Sequence, residues 1–232
     1  MKKNHTTMSH KPLYDITPFT ALDYPDHLAA IFWFARCNMR CVYCYNKEIV
    51  LGEGKRTEEE AIAFLQSRIG LLEAVVLSGG EATLFDGLVE FCKKIKQLNF
   101  KIKLDTNGLN PEMVKVLVEN ELVDYIALDY KAPKEKYYEI TKNKHFDRFS
   151  KTLNLLIQKQ FDFEVRTTVH SNLLRVTEIN RIIKDLLKRG YRGTYYLQPF
   201  VFTEHTIGKV KEEKTSLDRS QLSSGLNVVW RA

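Results

Sequence analysis

The sequence is poor in cysteine and has no long apolar run. Only four of its 232 residues are cysteine, and three of them lie close together, so a disulfide framework is not expected. No stretch approaches the roughly 18 consecutive apolar residues that a membrane span requires. Residues 1–10 are polar and lack the apolar segment of a secretory signal. These absences predict a cytoplasmic protein with no membrane partner.

The sequence also lacks a concentrated charge, an internal repeat and a low-complexity segment. Its 35 Lys and Arg against 29 Asp and Glu give a net charge of +6, but the basic residues are spread along the whole chain. Nucleic-acid-binding proteins usually gather their positive charge on one face or helix. We therefore expect no nucleic-acid partner. The hydrophobic fraction of 44% is sufficient for a folded core.

What the sequence does contain is a regular alternation of strand and helix patterns. The continuous apolar run 28–34 follows a turn-forming stretch at 22–26 and is typical of a strand buried on both faces. Further strands are predicted at 74–77, 102–105, 125–130, 163–169 and 194–200. Helices are predicted at 57–69, 85–98, 111–120, 146–160 and 177–189, with a short helix near 217–223 and a last strand at 228–230.

Six βα units in succession predict one α/β domain with a parallel sheet. Six units are two fewer than a closed eight-fold barrel has. We therefore expect a partial (β/α)6 TIM-like barrel, and a flat doubly wound sheet is the alternative. Residues 1–12 are expected to form a flexible lead, and 13–232 a single domain.

Three cysteines at C-x3-C-x2-C spacing follow the first predicted strand. Cys37, Cys41 and Cys44 can point at one centre, whereas an iron–sulfur cluster normally takes four thiolates. The spacing therefore predicts a cluster with one open iron. A zinc site is the alternative, but structural zinc sites favour paired short spacings. The remaining Cys92 shares the apolar face of a predicted helix and is expected to be a buried free thiol.

Polar groups recur at the ends of the later strands. The loop 78–81 has the sequence Ser-Gly-Gly-Glu, and its glycines would let a ligand approach the backbone. Side chains that share a strand face are Lys103, Asp105 and Asn107; Asp129 and Lys131; Glu164, Arg166, Thr168 and His170; and Tyr196 and Gln198. Buried charges without partners cost several kcal/mol. These faces therefore predict a salt-bridge network or a site for a charged ligand, and the cysteine loop at the same edge favours the site.

The cysteine motif, with Tyr43 before its last cysteine, and the Gly-Gly-Glu loop resemble the radical S-adenosylmethionine (radical SAM) enzymes. Segments 23–25, 104–108, 129–133, 166–169 and 197–200 further resemble the glycyl-radical-enzyme activases, in particular the activating proteins of anaerobic ribonucleoside-triphosphate reductase. The resemblance covers about residues 14–202. Two departures are Ala82, where the relatives usually have proline, and Asp26-His27, where a Gly-Lys pair is common.

This resemblance implies a function. The three clustered cysteines would hold one [4Fe-4S] cluster, because residues 45–78 lack the extra cysteines that some activases insert there. An electron from flavodoxin or ferredoxin would cleave SAM into methionine and a 5′-deoxyadenosyl radical. That radical would take a hydrogen atom from a glycine of a partner glycyl radical enzyme, expected to be anaerobic ribonucleoside-triphosphate reductase.

The resemblance also implies which residues contact SAM. The methionine end would be held by Gly79, Gly80 and Glu81. The carboxylate and ribose would be surrounded by Asp105, Thr106, Asp129 and Lys131, with room for a monovalent cation, and Asn107 belongs to the same set. The adenosine would be lined by Tyr43, Thr168 and Gln198. Asp129 and Lys131 are also candidate catalytic residues, together with the cysteines.

Three other functions stay open at this point. The chain could activate another glycyl radical enzyme such as pyruvate formate-lyase. It could be a small-molecule radical SAM enzyme of the 7-deazaguanine-synthase type. It could also be a non-catalytic iron–sulfur or zinc module that binds a partner. The short six-unit chain favours an open barrel that admits a protein loop.

Overall fold

A computed structural model of the protein describes residues 11–212 and 217–231, so the expected flexible lead falls almost entirely outside the described residues. The described residues form one sheet of eight strands that lie side by side in sequence order. The strands are β1 (Leu13–Thr20), β2 (Ala29–Phe34), β3 (Ala74–Gly79), β4 (Lys101–Thr106), β5 (Tyr125–Asp129), β6 (Phe163–Val169), β7 (Thr194–Pro199) and β8 (Asn227–Trp230). The helices are α1 (Lys47–Leu51), α2 (Glu58–Gln66), α3 (Leu88–Gln97), α4 (Pro111–Glu119), α5 (Tyr137–Thr141), α6 (Phe146–Gln158) and α7 (Val176–Arg189).

The sheet confirms the expected parallel α/β architecture. Strands β2 to β8 are parallel to their neighbours, and β1 joins β2 in the antiparallel direction. The helices pack on one face, where the large core lies. On the other face, apolar side chains pack against one another in a small core that includes Tyr24, Ile31 and Val76. A doubly wound sheet carries helices on both faces, so this arrangement is that of a partial barrel with β1 and β8 as its edges.

Local sequence signals explain where several helices begin or end. Thr57 caps α2 in a full capping box with Glu60, whose side chain accepts from the Thr57 backbone N–H. Pro111 occupies the first turn of α4, where its missing N–H is not needed. Gly190 ends α7 in the left-handed region at φ 88°.

The structure adds elements that the sequence patterns do not reveal. Strand β1 covers residues for which no element is predicted, and it contains Pro18 and two register shifts against β2. Its burial does not alternate, so it forms through pairing with β2 and not through its own pattern. Helices α1 and α5 have five residues each, too few to display helical periodicity. Helix α3 begins at Leu88 and not at Phe85, because a 3-10 turn at Ala82–Leu84 precedes it.

Within the described part of the chain, no helix is both long enough and apolar enough to cross a membrane.

Polar side chains line the interior of the barrel near the carboxyl ends of the strands. Glu164 on β6 is also buried, and its carboxylate accepts hydrogen bonds from both Nη groups of Arg231 at 2.7 and 2.8 Å. Arg231 follows β8 and stacks on the Tyr196 ring at 3.6 Å from its centroid. This pair satisfies a carboxylate that would otherwise be buried without a counter-charge.

Candidate functional site

A cavity of about 250 Å³ lies at the carboxyl ends of strands β2 to β7. The structure brings all of the sequence-predicted site residues to its walls: Cys37, Cys41, Tyr43, Cys44, Gly79, Gly80, Glu81, Asp105, Thr106, Asn107, Asp129, Lys131, Thr168 and Gln198. The parallel strands explain this convergence, because their carboxyl ends meet at one edge of the sheet.

The cavity also contains residues that the sequence reasoning did not assign to the site. These are Asp23, Trp33, Met39, Tyr45, Asn46, Val50, Ser78 and Arg166. Side-chain alternation places Arg166 on the same polar strand face as Thr168, but no contact with the ligand is assigned to it. Trp33 belongs to an all-apolar strand, which offers no such signal. His170 is absent from the wall: it is buried, and its Nε2 lies 2.9 Å from the Lys211 carbonyl oxygen.

The cysteine loop is held on both sides by backbone hydrogen bonds. On one side, Arg40 and Val42 donate their N–H groups to the carbonyls of Thr141 and Ile140, each at 2.9 Å. On the other side, the segment 206–208 runs along the loop. Its Ile207 N–H donates to the Cys44 carbonyl at 3.0 Å, and the next residue donates to Val42 at 2.8 Å. The positions of the thiols are thus determined by α5 and by a segment far along the chain.

Gly208 is the point where that later segment touches the cysteine loop. A Cβ at this position would lie 2.6 Å from the Val42 Cβ and 2.8 Å from the Val42 carbonyl oxygen. Neither atom can retreat without moving the loop itself.

We expect Gly208→Ala to reduce cluster assembly several-fold by displacing residues 42–44. The measurement is the iron and sulfide content after anaerobic reconstitution. Glu204 is exposed and lies just before the segment 206–208. Glu204→Ala is therefore the matched control and should assemble the cluster normally. Equal iron content in both variants would contradict this role of the segment.

The pKa values of the three clustered thiols are raised, so these thiols are protonated at neutral pH. Burial raises the pKa of Cys37 to about 11 and that of Cys41 to about 12, and it also raises the pKa of Cys44. A metal must therefore displace their protons when it binds. Cys92 lies in the core on α3, away from the cavity, as the sequence predicts.

The thiols line the same cavity but do not converge on a point. Among the described residues, no three His, Cys, Asp or Glu side chains are placed to hold one metal ion. A cubane cluster spreads its cysteine ligands farther apart than a single ion does. Three thiols on one cavity are the donor set that the predicted cluster would take from the protein.

Both glycines of the loop after β3 are required by the protein chain itself. Gly79 has φ 111°, and a Cβ there would lie 2.5 Å from the Phe34 backbone nitrogen. A Cβ on Gly80 would lie 1.8 Å from the Arg36 carbonyl oxygen. The absence of side chains thus lets the end of β3 pack against the end of β2, in addition to any approach of a ligand.

Glu81 joins the loop after β3 to the loop after β4. Its Oε1 accepts from the Thr83 N–H and hydroxyl and from the Thr106 hydroxyl at 2.8 Å, and its Oε2 accepts from the Asn107 N–H at 2.8 Å. Burial raises the pKa of this carboxyl against the opposing effect of these donors. Oε1 is fully engaged within the protein, and Oε2 keeps one acceptor position.

A chain of ion pairs crosses the cavity floor. The Asp105 carboxylate lies 2.7 Å from the Lys103 Nζ and 3.2 Å from the Arg166 Nη2. The Asp129 carboxylate lies 2.6 Å from the Arg166 Nε and 2.8 Å from the Lys131 Nζ. Three cations thus face two carboxylates in this network, and Arg166 and Lys131 line the cavity beside the carboxyl groups of Glu81 and Asp23. The salt-bridge network that the polar strand faces predict is therefore present, and the site for a charged ligand stays a prediction.

The ion pairs set the protonation of the network. Burial by itself would raise the pKa of Asp129, but Arg166 and Lys131 outweigh it and lower that pKa to about 2. Arg166 and Lys103 likewise lower the pKa of Asp105. Both carboxylates are therefore ionised throughout the physiological range.

This depressed pKa predicts a specific acid dependence. Because the folded pKa of Asp129 is below its unfolded value of about 3.9, its contribution of about 2 kcal/mol is present above pH ~4 and is lost as the pH falls towards ~2. We expect Asp129→Asn to be less stable than the wild type at pH 6, with a gap that narrows below pH ~4. Urea unfolding at several pH values measures the gap, and a gap independent of pH would contradict the assignment.

Two buried hydroxyls near the cysteines have no hydrogen-bond partner within the described residues. They belong to Tyr43, which lines the cavity, and to Tyr137 at the start of α5. Buried polar groups rarely remain unpaired, and such a group often marks a bound molecule. Three thiols on one wall, the cations Arg166 and Lys131 on the floor and unpaired hydroxyls beside them fit a cluster together with a ligand that carries a carboxylate.

Comparison with known proteins agrees with this site. The model of the radical SAM superfamily matches residues 31–178. Over 177 residues the chain is 33% identical to a candidate glycyl-radical enzyme activating enzyme of Methanocaldococcus jannaschii, covering 74% of this chain and 73% of that protein. It is 31% identical to a probable GTP 3′,8-cyclase of Methanothermobacter marburgensis over only 49% of this chain and 38% of that protein.

Solved structures show the same fold. The crystal structure of Streptococcus suis SuiB bound to S-adenosylmethionine superposes with a TM-score of 0.67 at 14% identity. The match covers 87% of this chain and 52% of SuiB, so the chain spans about half the length of that protein.

Proposed function

Because the chain belongs to the radical SAM superfamily, which implies S-adenosylmethionine and a [4Fe-4S] cluster, we propose that it activates a glycyl radical enzyme. The observation that carries the proposal is its 33% identity to a candidate activating enzyme over nearly three quarters of both chains. Within this class we propose anaerobic ribonucleoside-triphosphate reductase as the partner, on the strength of the segments 104–108, 129–133 and 197–200.

The protein's own residues would hold and orient the cofactors. Cys37, Cys41 and Cys44 would be the three protein ligands of the cluster. When both groups are bound, they supply a carbon radical that can take a hydrogen atom from a C–H bond. A glycine α-carbon is a suitable donor, because its radical can become planar and delocalise over two peptide groups. Transfer of that hydrogen atom leaves the radical on the partner and forms 5′-deoxyadenosine.

The cavity floor would select the methionine end of SAM. The network around Arg166 has one more cation than carboxylates, which favours the SAM carboxylate there. Lys131 belongs to this network, and its pKa is raised because burial, which lowers it, is outweighed by Asp129 together with other nearby groups. Tyr43, Thr168 and Gln198 would line the adenosine, and their shared cavity supports this role. We assign no residue to a monovalent cation.

An exposed apolar rim beside the cavity supports a protein substrate. Tyr45 lines the cavity and yet is 57% exposed. Val201 and Phe202, which follow Gln198 closely along the chain, are 69% and 44% exposed. Exposed apolar side chains around a binding site are typical of surfaces that meet another protein. A loop of the partner could thereby reach the cavity while its neighbouring residues cover the rim.

The reaction also needs an electron donor and a reducing compartment. We propose flavodoxin or ferredoxin as the electron donor, since the chain has no second cysteine cluster to store an electron. We also propose a cytoplasmic location, which the four free thiols support because a reducing compartment keeps thiols unpaired.

An electron paramagnetic resonance experiment tests the partner. The reconstituted protein is reduced, incubated anaerobically with SAM and anaerobic ribonucleoside-triphosphate reductase, and examined for the doublet of a glycyl radical. The doublet should appear with this reductase and not with a reductase whose radical glycine is replaced by alanine. A doublet only with pyruvate formate-lyase would reassign the partner. Formation of 5′-deoxyadenosine without any doublet would overturn the activase proposal.

A further inference from the structure

Asn107 places its side-chain amide against the first cysteine of the loop. The residue follows β4 and is 4% exposed. Its Nδ2 lies 3.7 Å from the Cys37 Sγ and donates to the Asn38 Oδ1 at 2.7 Å. The two residues in contact, Asn107 and Cys37, are separated by 70 positions in the sequence. The contact therefore depends on the fold and not on the cysteine motif.

The orientation of this amide is determined by its neighbours. The Leu109 N–H donates to the Asn107 Oδ1 at 3.0 Å, so a flipped amide would place two donors against each other. The backbone is also held, because the Asn107 N–H donates to the Glu81 Oε2. Nδ2 must therefore face Asn38 and the Cys37 sulfur.

Cys37 differs from the next cysteine in the donors around its sulfur. The Met39 backbone N–H also points at the Cys37 Sγ, at 3.4 Å. The Cys41 Sγ instead contacts the thioether sulfur of Met39 at 3.8 Å, which offers no N–H. The Cys37 sulfur is thus placed where two N–H groups can donate to it.

We propose that Asn107 is a positioning residue that donates a hydrogen bond to the Cys37 thiolate and thereby raises the reduction potential of the cluster. Hydrogen bonds to the sulfurs are among the features that set such potentials. The reduced cluster carries one more negative charge, so an N–H donor stabilises it more than the oxidised form. The proposal rests on the cluster at the three cysteines and does not depend on which partner is activated.

Redox titration of variants tests this role. Wild type, Asn107→Ala, Asn107→Asp and Asn38→Ala are reconstituted, their iron is counted, and the midpoint potential is followed by electron paramagnetic resonance. Loss of one hydrogen bond should shift the reduction equilibrium of Asn107→Ala about tenfold towards the oxidised form, or about 59 mV for one electron. Asn107→Asp keeps the acceptor for Leu109 and should shift in the same direction. Asn38→Ala keeps the Asn107 donor and should retain the wild-type potential.

An unchanged potential in an Asn107 variant with a full cluster would overturn the proposal. If neither Asn107 variant assembles a cluster, the Asn38→Ala protein, which keeps Asn107, decides. With ¹⁵N only in the asparagine side-chain amides, the reduced cluster of the Asn38→Ala protein should show a coupled ¹⁵N nucleus in its spin-echo spectrum, and no coupling would overturn the proposal. Neither measurement uses a glycyl radical enzyme, so failure of the activase proposal would be seen separately.

Discussion

Replacing Cys41 by alanine should leave the protein folded but unable to assemble its iron–sulfur cluster. The loss removes one of three thiols in a loop that has no spare ligand, because Cys92 lies in the core away from the cavity. Iron bound after anaerobic reconstitution should fall to background. Cleavage of SAM to 5′-deoxyadenosine under dithionite should become undetectable, since the electron has no route to SAM. Iron and sulfide assays and chromatography of the products measure both effects.

The matched control is Cys92→Ala. It makes the same chemical change in α3, where the thiol is fully buried among apolar side chains. We expect it to cost about 1 kcal/mol of stability and to keep both the cluster and SAM cleavage. Cleavage that survives in Cys41→Ala, or that disappears in Cys92→Ala, would contradict the assignment of the cluster to the three-cysteine loop.

The second large effect is expected for Arg166→Met. This substitution keeps most of the side-chain volume but removes the cation that both Asp105 and Asp129 contact. Breaking a buried ion pair by removing one partner typically costs about 3–5 kcal/mol. The change also removes one of the two cations, Arg166 and Lys131, that line the cavity. We therefore expect at least tenfold weaker SAM binding in whatever fraction remains folded, as measured by equilibrium dialysis alongside urea unfolding.

A surface arginine provides the control for this prediction. Arg181→Met removes a cation that lies 4.0 Å from Glu178 and is 56% exposed. Exposed ion pairs contribute about 0–1 kcal/mol, so this variant should remain close to the wild type in both stability and SAM binding. Similar losses in the two variants would show that the network at the cavity floor has no special role.

The sequence by itself determined the chemistry and the repeating architecture. The spacing of three cysteines within one short loop is a local property, so it indicates a common centre whatever the rest of the fold. Six alternating strand and helix patterns indicate a parallel sheet, whose carboxyl ends meet at one edge. Side-chain alternation along each strand then places Asp105, Asp129 and Lys131 at that edge, and the structure has all three on the cavity wall.

Only the tertiary structure decided how these residues are held. Strand β1 and helix α5 have no clear pattern of their own, and they form where β2 and the cysteine loop offer partners. The packing of Gly79 against Phe34 and the contact of Asn107 with Cys37 join residues far apart along the chain. Local patterns report which face a side chain occupies, whereas its distance to a residue on another strand depends on how the whole sheet curves.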